Sequence, residues 1–195
     1  MFDEHDTQDV ILQAAMTRFS TTVQANVVND IADEAGLSRP TLYAYFKNKQ
    51  AILRSLSETI HNATLTSIAI AFSADGSLHT RLVDGFLAWS EPFMDILFGS
   101  PHGDELIGVG GTAASDIAED ARSKFHKLLV KQLTAAKREG DIDLSLMEIS
   151  INQAAEFLIL SLNGLSTGEA NIRTHKRRLT TLVRVFLSAA ATPQK

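Results

Sequence analysis

The residues best suited to chemistry on a partner fall in one short run, Ser38 to Lys49, SRPTLYAYFKNK. It carries a guanidinium at Arg39, hydroxyls at Thr41, Tyr43 and Tyr45, and ammonium groups at Lys47 and Lys49. These groups offer hydrogen-bond donors and positive charge, which suit phosphate oxygens and the acceptor edges of bases. Between Ser38 and Ser57 there are four basic residues, Arg39, Lys47, Lys49 and Arg54, and no acidic one. The whole chain has a net charge of −5, which argues against a general nucleic-acid coat protein. Local charge is what a polyanion meets, so a duplex partner is expected at this segment.

Other chemistry finds little support. The histidines His5, His61, His79, His102, His126 and His175 form no HxH, HxxxH or HExxH spacing, so surface or hydrogen-bonded core positions are expected and no metal site. Cysteine is absent, which removes disulfides and thiolate ligands. No Gly-x-Ser-x-Gly, phosphate-loop or dinucleotide pattern occurs, so no catalytic residue and no cofactor are expected. Asp116, Glu119 and Asp120 read as a solvated helix face.

The elements that must position the basic run can be read around it. Val28, Ile31, Ala32 and Ala35 share one helical face, with Asn26 a plausible N-cap and Gly36 the left-handed residue that ends the helix. Ser38 is suited to cap a second helix with Pro40 in its first turn. A helix restarting within about three residues is a helix-turn-helix connection. In the second helix Leu42 and Phe46 face the core, leaving Arg39, Pro40, Thr41, Tyr43, Ala44 and Tyr45 to a major groove; Asn29 on the preceding helix is a weaker candidate. Upstream, Asp6 or Thr7 can cap a helix in which Ile11, Leu12, Ala15 and Phe19 share a face, completing a three-helix unit after a frayed start.

The run DIADEAGLSRPTLYAYFKNK, preceded by Ile11, Leu12, Ala15 and Phe19, resembles the DNA-binding domain of the TetR family of transcriptional regulators. The resemblance extends over residues 8–56 in motif detail. The connector Ser20 to Ala25 departs from the family pattern, being one residue short and lacking a glycine. The resemblance implies that Thr41, Tyr43 and Lys49 contact the DNA backbone. It also implies an effector pocket and a two-fold dimer in the helices that follow.

Those helices are expected from Asn48 to Phe72, Leu78 to Leu97, Ala113 to Arg138 and, after a cap at Asp143, as two apolar helices, the second from Ala170 to Ala191. Pro92 is expected to kink or end the second of these near Glu91. Loops are expected at Ser73 to Ser77, at Gly99 to Gly111 and at Ser166 to Glu169. Phe72, Phe86, Trp89, Phe93, Met94 and Phe98 form an aromatic-rich surface suited to a small-molecule effector, or else ordinary core. The last two helices are the most apolar part of the chain, the second basic at its start (Arg173, His175, Lys176, Arg177, Arg178) and apolar later, so Phe157, Leu158, Leu162, Leu179, Leu182, Val183 and Phe186 are expected at a homodimer interface, with plain core as the alternative.

The expected architecture is all-α: a helix-turn-helix DNA-binding domain at 1–50 and a helical effector-binding and dimerisation domain at 51–195. With no long apolar run, a cytoplasmic protein with no membrane partner is expected. The expected function is a homodimeric repressor that two half-sites of a palindromic double-stranded operator recruit and a small-molecule effector releases. The alternatives are an effector-independent regulator or activator of the same fold and, from a different class, an all-α enzyme or protein-interaction bundle.

Overall fold

The all-α reading holds, and the reasons are local. The computed structural model describes the backbone of residues 4–21, 27–99, 112–165 and 171–191, and the side chains of these except at 4–5, 20–21 and 95–99. The Asn26 cap, the connector at 22–26, the stretch at 100–111, the loop at Ser166 to Glu169 and the Phe98 side chain lie outside the described residues.

Among the described residues the order is α1 (Glu4–Thr21), α2 (Val27–Glu34), α3 (Arg39–Tyr45), α4 (Lys49–Ser73), α5 (Leu78–Gly99), α6 (Ser115–Glu139), a 3-10 turn (Ser145–Met147), α7 (Ile151–Leu165) and α8 (Ile172–Ala189). By compactness the chain divides into one unit of residues 1–62 and 95–119 and another of 63–94 and 120–195. The division falls within α4, after Asn62.

The first unit is built on the apolar periodicity of its helices. Ile11, Leu12, Ala15 and Phe19 of α1, Val27, Ile31 and Ala32 of α2, Leu42 of α3, Phe46, and Ile52, Leu53 and Leu56 of α4 make one buried cluster. Burying a side chain of this size contributes about 1.5–3 kcal/mol, which is why so short a set of helices can hold.

In the second unit the end of α4, α5 and α6 pack the rings of Phe72, Phe86 and Phe125 together with Leu82, Leu129 and Leu133, against Leu158 and Leu162 of α7 and Leu179, Val183 and Phe186 of α8. Phe86 meets Phe125 edge-on at 6.2 Å, and Trp89 stacks on Phe125 at 4.8 Å between centroids. Gly85 is required here: a Cβ at that position would lie 2.2 Å from the Phe72 ring.

Of the two outcomes expected at Pro92, a kink or an end, the second is excluded, and the expected cap at Asp143 is corrected. Pro92 does not end α5, which runs on to Gly99. Proline removes its own N–H and crowds the carbonyl four residues back, but Met94 beyond it is buried, so packing carries the helix past the break. Asp143 does not cap α7 either; its carboxylate accepts from the Ser145 N–H at 2.9 Å and starts the 3-10 turn. The α7 cap is Ser150, whose Oγ accepts from the Gln153 N–H at 3.2 Å while Gln153 Oε1 accepts from the Ser150 N–H at 2.9 Å. That reciprocal pair is a capping box, and its Ser-x-x-Gln signature is visible in the sequence.

Candidate nucleic-acid interface

The turn between α2 and α3 is set by backbone chemistry. Gly36 adopts φ +65°, which lets its own N–H reach the Asp33 carbonyl at 3.1 Å and the Leu37 N–H reach Ala32 at 2.9 Å. The orphan carbonyls of Ala32 and Asp33 are thereby satisfied, and Leu37 folds back towards the core. Ser38 then caps α3: its Oγ accepts from the Thr41 N–H at 3.2 Å, with Pro40 in the first turn where no N–H is missed.

This start fixes which way α3 faces. Leu42 and Phe46 are buried, which points the opposite side outwards. At about 100° per residue, Pro40 and Ala44 lie farthest from Leu42, with Tyr43 to one side and Thr41 to the other. Arg39, Pro40, Ala44 and Lys47 are exposed, and Tyr43 is 48% exposed. Thr41 is half-buried, its hydroxyl 2.7 Å from Ser38 Oγ. Tyr45 is half-buried and packs on the core, so its ring belongs to the support. Asn29 is half-buried on α2.

The helix that follows contributes a second edge to the site. Asn48 Oδ1 accepts from the Ala51 N–H at 2.9 Å, capping α4, and Lys49 opens the helix with its ammonium 5.7 Å from the centroid of the buried Phe19 ring. The aromatic face holds this cation at the start of α4, where the helix dipole also favours an anion such as phosphate.

The fourth basic residue belongs elsewhere. Arg54 is paired side-on with Asp116 of α6, Nη1 to Oδ1 and Nη2 to Oδ2 both at 2.8 Å, and Nη1 also donates to the Ala113 carbonyl at 3.0 Å. The Arg54 guanidinium holds the Asp116 carboxyl down to about 2. Asp116 is therefore half of an ion pair and not part of a plain solvated face. The partners lie 62 residues apart, a separation that no local pattern reveals.

The other expected site residues fall as follows. Phe72, Phe86 and Met94 are buried and Trp89 and Phe93 half-buried, all in the second unit. Of the expected interface residues, Leu158, Leu162, Leu179, Val183 and Phe186 are buried within the chain itself and Leu182 is half-buried. Burial of these five side chains within the chain favours the core alternative for them, while Leu182 and Phe157 keep surface that a second copy could cover. Phe157, at 54%, is exposed, as are Leu160 at 54% and Val185 at 60%, neither of which was singled out from the sequence.

His175, for which either a surface or a hydrogen-bonded core position is expected, takes the second: it is fully buried against Ser90. Among the described residues no three histidine or carboxylate groups come together in a way that would hold a metal ion.

This arrangement, a capped recognition helix on a three-helix support followed by a helical bundle, defines an all-α DNA-binding regulator of the helix-turn-helix class. Residues 11–56 match the sequence profile of the family described as bacterial regulatory proteins, tetR family, and the chain has the fold of TetR-family transcriptional regulators. A protein of Mesorhizobium loti assigned to that family superposes with a TM-score of 0.71 at 15% identity, over 98% of this chain and 100% of its own. A transcriptional regulator from Cytophaga hutchinsonii gives 0.73 at 18% identity, over 94% and 98%. SmeT, the repressor of the Stenotrophomonas maltophilia multidrug efflux pump SmeDEF, gives 0.64 at 17% identity, over 95% and 90%. No curated protein matches the chain by sequence.

Proposed function

We propose that the chain is a homodimeric cytoplasmic repressor that leaves its operator when a small-molecule effector binds its C-terminal unit, and that it is not an enzyme. The observation that carries the reading is α3, whose outward face presents Arg39, Pro40, Tyr43 and Ala44 beside Lys47. Arg39 is the guanine reader, and the small apolar pair Pro40 and Ala44 suits thymine methyl groups. Thr41, Tyr43, Lys47 and Lys49, with Asn29 at the margin, hold phosphates and set the register. Functionally, residues 1–50 read DNA and 51–195 serve dimerisation and effector binding.

One such helix reads too few bases to select an operator, so two copies related by a two-fold axis must meet a palindrome. SmeT, of the same fold, is described as a repressor of a drug efflux pump, which supports the repressor mode. An effector that binds better to a form with unmatched half-site spacing lowers operator affinity by linkage.

Gel shifts on the DNA upstream of the chain's own coding region test this. Sequence-selective binding that weakens steeply with salt is expected, and an Arg39→Ala, Tyr43→Ala double variant is expected to lose selectivity while keeping its helix content and oligomeric state. Binding to random duplex as tight as to the upstream DNA would sink the proposal.

A further inference from the structure

Two sides of α4 are gripped in the first unit, and by different means. Ile52, Leu53 and Leu56 turn one side into the buried cluster shared with α1, α2 and α3. Arg54, at about 100° per residue, stands on the side away from them. There its guanidinium donates to both Asp116 carboxylate oxygens at 2.8 Å and to the Ala113 carbonyl at 3.0 Å. Ala113 packs against the buried cluster of the helix-turn-helix, and Ala114 is buried beside it in sequence. By compactness residues 95–119 belong with residues 1–62, so the first turn of α6 is part of the unit that carries α3.

Apolar burial is non-directional and tolerates small rotations of a helix. A carboxylate set on a guanidinium fork fixes direction as well as distance. Both partners stay open to solvent, with 41% and 66% of their side chains exposed, so the pair adds little to overall stability. Strict geometry with little stabilising value suits a contact to aiming a helix more than to holding a fold.

The start of α4 is what such a contact aims. Asn48 caps it and Lys49 opens it, about 7.5 Å of helix from Arg54, with the Lys49 ammonium over the Phe19 ring. Only Lys47 and Asn48 separate α4 from Phe46, the C-cap of α3. A rotation of α4 therefore carries both Lys49 and the end of α3 with it.

We propose that Asp116 is a positioning residue for DNA binding: from outside the helix-turn-helix it holds Arg54, and through it the start of α4, at the angle that brings Lys49 and α3 onto the duplex. The inference rests on the reading of α3 and Lys49 as the groups that meet DNA.

The sign of one substitution separates this role from a plain charge effect. Asp116→Asn removes a negative charge and releases Arg54, so by charge alone it tightens binding to a polyanion. Loss of positioning does the opposite. On the DNA upstream of its own coding region, the full-length Asp116→Asn chain is expected to bind about tenfold more weakly, the worth of one charged contact, with a salt slope shallower by about one. Asp116→Glu, which keeps a carboxylate within reach of Arg54, is expected to recover most of the affinity. Tighter or unchanged binding by Asp116→Asn, or no recovery in Asp116→Glu, would overturn the positioning role.

Hydrogen exchange gives a readout that needs no DNA. In Asp116→Asn at neutral pH, the amides of residues 39–56 are expected to exchange faster than in the parent or in Asp116→Glu, while those of α7 and α8 keep the parent's rates. Equal rates over residues 39–56 would overturn the proposal whatever the gel shifts give. A parent chain with no preference for the upstream DNA over random duplex rejects the regulator, and the exchange rates still decide whether Asp116 holds α4.

Discussion

Arg54 shows how a single residue changes meaning between sequence and structure. In the sequence it is the last of four cations following the turn; in the fold its charge is met by Asp116, and its Nη1 also donates to the Ala113 carbonyl. Because the folded carboxyl of Asp116 sits at about 2, below the 3.8 of an ordinary aspartate, its contribution is fully present above the ordinary value and is lost as pH falls through about 2. An Asp116→Asn variant is therefore expected to melt lower than the parent at neutral pH, with the gap closing as both are brought to pH 2; thermal melts across that range check it. A gap independent of pH would mean the carboxylate is not what stabilises.

Gly85 is the sharper case for packing. Its missing Cβ leaves room for the Phe72 ring, which would otherwise stand 2.2 Å away. Gly85→Ala is expected to destabilise by about 1–3 kcal/mol through overpacking, read as a lower urea midpoint at unchanged slope. Alanine's better helix propensity, about 1 kcal/mol, is too small to reverse the sign in most of that range.

At the scale of elements, the turn and its caps were legible because they depend on residues within a few positions of one another. Gly36 acts through its own backbone and Ser38 through its hydroxyl on the turn that follows, and the structure places both as the spacing requires. The expected α7 cap falls seven positions too early because Asp143 is a good capping residue; its carboxylate instead accepts from the Ser145 N–H ahead of the 3-10 turn. Ser150→Ala is expected to cost about 1 kcal/mol in thermal or urea unfolding, and Asp143→Ala less, since its carboxylate precedes only a short turn. The reverse order would restore the earlier boundary. Pro92 teaches the converse, that a local breaker is overridden when the flanking helix is held by buried side chains.

For the whole molecule, the proposed dimer is where sequence and structure diverge most. Helices apolar on every side do not say which side faces inwards. The structure spends Leu158, Leu162, Leu179, Val183 and Phe186 on the chain's own core, and leaves Phe157 and Leu160, three residues apart on α7, and Val185 on α8 exposed. If these cover a second copy, Phe157→Asp with Val185→Asp is expected to yield folded monomers by sedimentation, and with them a loss of operator selectivity. A dimer that survives both charges would place the interface elsewhere.

The sequence by itself determined the helical class, the helix-turn-helix and the face of α3, because periodicity, capping and turn chemistry act over a few residues and the resulting helix can point its polar side only outwards. Only the tertiary structure decided that Arg54 belongs to Asp116, that Gly85 must admit Phe72, and that His175 is buried against Ser90. Each of these joins groups distant in the chain, and such contacts are set by how whole helices pack, which leaves no trace in local spacing.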